Sequence, residues 1–179
     1  MRIISGTLKG RRFSPPKNFR ARPTTDTARE ALFNVLSHSL VIEELKVLDL
    51  FSGTGAISYE FASRGSIEVV SIEKDAHHQK YIKKNVEEFD LTSVIKSYRA
   101  DVFNYLKYAP KDHFNLVFAD PPFDLPEFEK VHEAVLQSGT ISKGGLFILE
   151  HGPQQDYSQH PKFQSLRKYG KVNFTFLKG

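Results

Sequence analysis

The 179-residue chain contains no cysteine. That excludes a disulfide framework, a thiol nucleophile and a cysteine-ligated zinc. Its seven histidines (His38, His77, His78, His113, His132, His151, His160) show neither HExxH nor another metal-ligand spacing, so no metal centre is expected. There is no run of 18 apolar residues and no signal-type apolar segment, so no membrane association is expected and the cytoplasm is the expected compartment. Acidic residues are missing from one region in particular. Residues 1–25 hold seven basic side chains (Arg2, Lys9, Arg11, Arg12, Lys17, Arg20, Arg22) and no acid. The rest of the chain holds 18 basic against 21 acidic residues, so the overall charge of +4 belongs to an N-terminal arm.

A basic segment on a neutral-to-acidic body reads as a contact for a phosphate backbone. Ile3, Ile4, Leu8 and Phe13 are interleaved with the charges and Ser5-Gly6 supplies a turn. The pattern predicts an ordered β-hairpin over this arm rather than a solvated tail. Pro15-Pro16 and Pro23 mark a loop after it. Thr27-Ala28-Arg29-Glu30 then has the form of a capping box. Ala28, Ala31, Leu32, Val35 and Leu36 recur at helical spacing behind it. Arg22, Thr24, Thr25 and Arg29 gather at the start of this helix. Two readings stay open for them: capping and surface charge, or a lip over a ligand site.

The body alternates strand and helix. Strands are expected at 46–51, 68–73, 94–98, 114–119 and 145–150, with helices at 55–63, 75–89, 102–108 and 127–136 between them. A terminal hairpin is expected over 163–167 and 171–177. The pattern predicts an α/β fold: a mostly parallel seven-stranded sheet with helices on both faces, a C-terminal antiparallel hairpin, and an N-terminal hairpin and helix. One domain is expected over 1–179, divided into a basic arm (1–25), a helix (26–40) and a Rossmann-like core (46–179).

Ligands in such sheets bind at the carboxyl ends of the strands, and the polar signals lie there. Leu50-Phe51-Ser52-Gly53-Thr54-Gly55 ends the first strand in a Gly-x-Gly turn, which allows close backbone approach to a ligand. The dinucleotide fingerprint is incomplete, because Ser58 stands where its third glycine would be. Asp49, just before the turn, is suited to an ammonium. Glu73 closes the second strand, where a carboxylate can accept from both ribose hydroxyls. Asp101, at a helix cap, and the Val102 N–H can read an adenine edge. Together these residues trace the amino-acid tail, ribose and base of one nucleoside ligand.

Asp120-Pro121-Pro122-Phe123 ends the fourth strand. Proline fixes φ and restricts the residue before it, so the Asp120 carboxylate and the Pro121 carbonyl can converge on one point. A planar base stacked on Phe123 would place an exocyclic amine there, with both N–H bonds held.

These residues resemble the class I S-adenosylmethionine-dependent methyltransferases. The chain is similar, nearly end to end, to the RsmD family of small-subunit ribosomal RNA guanine-N2 methyltransferases. The resemblance is carried by Met1–Gly6, Lys9–Arg12, Arg22–Asp26, Arg29-Glu30, Leu32–Asn34, Leu48–Ala56, Ser63–Gly65, Glu73, Asn85, Asp101 and Asp120–Phe123. The N-terminal block is specific to the family, whereas the glycine turn and DPPF are widely shared. Phe123 stands where the family commonly has Tyr, and Asn115 where it commonly has Asp.

The resemblance implies S-adenosyl-L-methionine as cofactor. Asp49, Ser52, Gly53, Thr54 and Gly55 would hold its methionine end, covered by Thr24 and Thr25, with Glu73 and Lys74 at the ribose and Asp101 and Val102 at the adenine. Asp120, Pro121, Pro122 and Phe123 would hold the guanine. Arg2, Lys9, Arg11, Arg12, Arg20 and Arg22 would bind small-subunit (16S) ribosomal RNA, in an assembled or partly assembled subunit, and the protein would act as a monomer. Three alternatives remain open at the level of sequence: an adenine-N6 methyltransferase on DNA or RNA, a nicotinamide-dependent oxidoreductase, and a non-catalytic RNA-binding module.

Overall fold

The computed structural model describes residues 1–15 and 25–179. Lys17, Arg20, Arg22 and Thr24, with Pro16 and Pro23, lie outside the described residues. Helix α1 spans Asp26–Ser39. The alternating body follows as β1 (Lys46–Leu50), α2 (Ala56–Ser63), β2 (Glu68–Glu73), α3 (Ala76–Glu88), β3 (Ile95–Arg99), α4 (Val102–Tyr108), β4 (Phe114–Ala119), α5 (Val131–Gln137) and β5 (Ile141–His151). Strands β6 (Phe163–Tyr169) and β7 (Val172–Lys178) close the chain.

The described strands form one seven-stranded sheet in the order β3-β2-β1-β4-β5-β7-β6. β1 through β5 pair in parallel, and β7 joins β5 and β6 antiparallel. The chain steps outward from β1 to β2 and β3, then returns to the other side of β1 for β4. A switch point therefore lies between the carboxyl ends of β1 and β4, where ligands bind in open sheets of this kind.

Side chains alternate across the sheet. Val47, Leu116, Phe118 and Ile148 pack on one face with α1, α2 and α3. Leu48, Leu50, Val117, Ala119 and Phe147 pack on the other with α4 and α5. The same alternation turns Asp49, Asp120 and Glu150 toward the first face.

Several boundaries differ from the expectation for definite reasons. The first helix is capped by Thr25, whose hydroxyl accepts from the Ala28 N–H at 3.2 Å, so the expected capping box at Thr27 does not form. Phe51 adopts φ 58 and ends β1 one residue early. Residues Phe128–Lys130 make a 3-10 turn before α5. β5 begins at Ile141, well before the expected Gly145, because a register shift against β4 accommodates the turn at Gly144.

The arm is anchored to the body. Its two halves make one antiparallel bridge, Arg2 with Arg12, in place of a regular ladder. Ile3 and Phe13 are buried, and Phe13 meets the Tyr59 ring edge-on at 5.2 Å. The fully buried Glu60 carboxylate accepts from the N–H groups of Ile4 (2.8 Å) and Ser5 (3.0 Å). It also pairs with Arg64 at 2.9 Å and Arg29 at 3.9 Å. Arg29 is itself fully buried, bonding Asp26 at 2.9 Å and the Arg2 carbonyl at 2.6 Å. It is a buried structural cation, which replaces both open readings of it as lip or surface charge.

Candidate active site

A cleft of about 1830 Å³ opens at the carboxyl end of the sheet. Small-ligand pockets run roughly 300–1,000 Å³, so the space exceeds one nucleoside and accommodates two ligands meeting end to end. Asp49, Ser52, Gly53, Thr54, Glu73, Lys74, Asp101, Val102, Asp120, Pro121, Pro122, Phe123 and Thr25 all line it. The residues singled out at four successive strand ends are thus brought together in one space. Gly55 stands just behind this wall as the N-cap of α2.

The glycine turn has a specific steric basis. Gly55 has φ 79, and a Cβ there would come within 2.6 Å of the Tyr59 ring. The N–H of Gly55 is already bonded to the Ser52 carbonyl at 2.7 Å, and that of Gly53 to Glu73 Oε2 at 2.8 Å. The two glycines therefore give close approach but do not offer free donors to an anion. The Ser52 hydroxyl donates to the Asp49 carbonyl at 2.8 Å and stiffens the turn.

Asp49 is 1% exposed. Burial pushes its carboxyl up to about 7, although hydroxyl donation from Ser58 and Ser52 opposes the shift. The Ser58 hydroxyl bonds Asp49 Oδ2 at 2.5 Å. The residue that breaks the dinucleotide fingerprint is thus the one that supports the acid. A buried acid supported chiefly by hydroxyl groups is suited to a cation arriving from the cleft.

Glu73 is held at both oxygens, by the Gly53 N–H and by the Asp75 N–H at 2.8 Å. This fixes its orientation and leaves each oxygen a further lone pair for a hydroxyl donor. Asp101 caps α4 through the Asn104 N–H at 3.2 Å, and Lys74 Nζ lies 3.1 Å from its other oxygen. Partial burial pushes the Asp101 carboxyl up, but Lys74 and the cap N–H outweigh it and hold the group below the usual range.

Asp120 stands directly beyond the register pair Leu50–Ala119, and its N–H lies 3.4 Å from the Leu50 carbonyl. It therefore sits beside the start of the glycine turn. Pro121 is buried and Pro122 exposed. The Leu125 N–H closes the turn on the Pro122 carbonyl at 2.9 Å. Phe123 is 60% exposed, an unusual state for a large apolar residue, and its ring centroid lies 6.5 Å from that of Phe128. Asn115 accepts from the Lys46 N–H at 2.8 Å at the opposite end of β4, remote from this chemistry.

The basic arm is placed differently. At its tip, Thr7 and Leu8 donate to Ser63 at the C-terminal end of α2. Arg11 pairs with Glu88 at 3.6 Å and lies 5.1 Å over the Phe89 ring, at the C-terminal end of α3. These helix ends precede the amino ends of β2 and β3, so the tip and Arg11 lie at the end of the sheet away from the cleft. Arg2 pairs with Asp26 at 3.7 Å. Lys9 and Arg12 are exposed and make no ion pair among the described residues.

The cleft also has walls that the sequence pattern did not assign. Phe51 lines it with its left-handed backbone. Glu150, only 3% exposed, lines it from the end of β5, level with Asp120. Lys168, Tyr169, Gly170, Lys171 and Val172, the turn between β6 and β7, form one rim. Glu150 occupies a strand end like the other polar signals, and that was the available clue. The turn gave none, because its place beside the cleft depends on β7 inserting next to β5.

Comparison with known proteins agrees with this geometry. The family described as conserved hypothetical protein 95 matches residues 1–178. The chain is 31% identical over 173 residues to ribosomal RNA small subunit methyltransferase D of Escherichia coli K12, covering 94% of this chain and 83% of that protein. The solved structure of a hypothetical protein of Thermus thermophilus superposes with a TM-score of 0.86 at 28% identity, covering 100% of this chain and 99% of the other. The solved structure of SMU.776 in complex with S-adenosylhomocysteine shares the fold at a TM-score of 0.67 and 18% identity, over 84% of this chain and 49% of that one. With the glycine turn, the strand-end acids and the DPPF turn lining one cleft, the chain belongs to the ribosomal RNA small subunit methyltransferase D family.

Proposed function

We propose that this protein methylates the exocyclic N2 amine of a guanine in small-subunit ribosomal RNA, using S-adenosyl-L-methionine. The observation that carries the reading is the shared cleft: the Asp120-Pro121 slot opens beside the glycine turn at the β1/β4 switch point. The whole of 1–179 acts as one methyltransferase domain. It works as a monomer in the cytoplasm, on an assembled or partly assembled small subunit.

The residues fit the cofactor by their chemistry. Asp49 is a buried acid whose raised proton affinity a cation would reverse. In this reading Asp49, with Ser52, Gly53, Thr54 and Gly55, holds the ammonium end, and Thr24 and Thr25 cover it. Glu73 and Lys74 serve the ribose, and Asp101 and Val102 the adenine. The cofactor supplies an electrophilic sulfonium methyl.

The protein's own contribution falls on the nucleophile. An aryl amine is a poor nucleophile because its lone pair is delocalised into the ring. Asp120 and the Pro121 carbonyl accept its two N–H bonds, which favours a more tetrahedral nitrogen and disperses the positive charge that develops on it. Pro121 and Pro122 keep these acceptors rigid, and Phe123 stacks on the base. The proton leaves the nitrogen after transfer, so Asp120 acts through charge and position. The base must be extruded or single-stranded to enter. Arg2, Lys9, Arg11, Arg12, Arg20 and Arg22 bind phosphates of the RNA, and of these Arg11, docked at the far end of the sheet, makes an outer contact away from the target base.

The test uses small ribosomal subunits from cells lacking their own copy of the enzyme, with isotope-labelled S-adenosylmethionine and mass spectrometry of the digested RNA. Labelled N2-methylguanosine is expected. N6-methyladenosine in its place would move the reading to an adenine methyltransferase. Replacing Asp120 by Ala should lower turnover by roughly 10²–10³-fold or more with cofactor binding retained. Near-normal turnover of D120A would remove the slot from the chemistry.

A further inference from the structure

The cleft has two unlike rims. On the Phe123 side stand Asp124 and Glu127, both exposed and both lining the cleft. The β6–β7 turn also lines the cleft, with exposed Lys168 and Lys171, and exposed Arg167 just before it in sequence. Lys168 lies near Asp156, where it supports the carboxylate after the stronger N–H and hydroxyl donation of Ser158. Lys171 and Arg167 make no ion pair among the described residues.

The turn is held firmly in place. Tyr169 pairs with Val172 in the ladder and packs against Phe174 at 5.9 Å, and Phe174 is fully buried. β7 in turn runs in register with β5 to His151–Asn173, which sets the turn at the carboxyl end of β5 beside Glu150. A polyanion approaching the Asp120 slot is repelled from the Asp124–Glu127 rim and attracted to the lysine rim. The tip of the basic arm and Arg11 dock at the other end of the sheet, and Arg2, nearer the cleft, is already paired with Asp26 at the start of α1.

We propose that the β6–β7 turn is the near RNA contact of this enzyme: Lys168 and Lys171 bind phosphates flanking the target nucleotide and orient its base from the basic rim toward Phe123 and Asp120. The inference rests on the RNA-methyltransferase reading above and adds the surface that presents the substrate.

The test compares the full-length wild type with a K168A/K171A variant, and with K171Q alone should the double variant melt lower. Each enzyme methylates small ribosomal subunits over a series of salt concentrations, and cofactor affinity is measured separately by calorimetry. Each single-strand phosphate contact contributes about 0.7 to the slope of log affinity against log salt. Loss of two contacts should flatten the slope of kcat/KM by about 1.4, seen as roughly a sevenfold difference across a fourfold salt range. KM for the subunit should rise with cofactor affinity unchanged. If the wild type forms N2-methylguanosine while the variants keep its KM and salt slope, the turn is not the contact and the function stands. If the wild type forms no N2-methylguanosine, the functional reading itself fails and takes this inference with it.

Discussion

Asp49 shows how one residue can serve both stability and binding. Its carboxyl ordinarily titrates near 3.8 and is raised by burial to about 7 in the fold. The native state therefore holds a proton that the unfolded chain releases, and stability falls as pH rises between those values. The full loss by pH 8 is on the order of 4 kcal/mol. Asp49→Asn carries no charge to bury and should raise the melting temperature at pH 8, with little change at pH 4. Cofactor affinity follows the opposite sign. An ammonium needs the ionised acid, so wild-type affinity should fall as pH drops below about 7, and the variant should bind weakly throughout. A flat affinity profile by calorimetry between pH 6 and 8 would detach Asp49 from the methionine end. Phe123 offers a second test at this scale. Stacking of a base on an aromatic ring contributes about 1–3 kcal/mol, so Phe123→Ala should raise KM for RNA roughly tenfold. Phe123→Tyr keeps the stacking face and adds only a hydroxyl, so it should remain near wild type. Equal kinetics for Ala and Tyr would mean that no base stacks there.

Among the elements, α2 carries more than its eight residues suggest. Its N-terminus shapes the glycine turn, and its middle holds Ser58 against Asp49. The next turn presents Glu60 to the arm and to Arg29 and Arg64. A fully buried acid in the mostly apolar helix Ala56–Ser63 is the trace this hub leaves in the sequence. Removing one partner of a buried charge cluster leaves an uncompensated ion, at a cost of roughly 3–5 kcal/mol. Glu60→Ala should lower the denaturation midpoint accordingly and speed amide exchange at Ile4 and Ser5. Gly6 belongs to the same joint, for it has φ 83 and a Cβ there would lie 1.8 Å from the Ser63 carbonyl oxygen. Unchanged exchange at Ile4 and Ser5 in the Glu60 variant would show that apolar packing of Ile3 and Phe13 suffices to dock the arm.

The whole molecule divides its tasks between the two ends of the sheet. The carboxyl end holds the cleft, with its acids at successive strand ends and its lysine rim. The amino end carries the docked arm tip. RNA that touches both must extend along the protein, which suits a folded subunit RNA better than a short loop. Replacing Lys9 and Arg12 by Ala should weaken subunit binding at low salt and leave cofactor affinity unchanged. Binding that keeps its full salt dependence would confine the RNA to the cleft end.

The residues by themselves determined the alternation of strands and helices, the glycine turn and the proline turn that ends the fourth strand. They also set the order in which Asp49, Glu73, Asp101 and Asp120 meet the site. These follow from hydrophobic periodicity and turn chemistry, which act over a few neighbouring residues. Strands β2 and β4 accordingly match their expected limits, and Asp101 caps α4 as anticipated. The capping box at Thr27 failed because Thr25 offered a competing cap two residues earlier. Only the tertiary structure decided that Arg29 is buried, that Glu60 ties the arm to the body, and that Asp49 holds its proton near neutrality. It alone brought Glu150 and the β6–β7 turn to the cleft. Each of these depends on groups distant in sequence or on the sheet order, and desolvation exists only once the chain has closed around a charge.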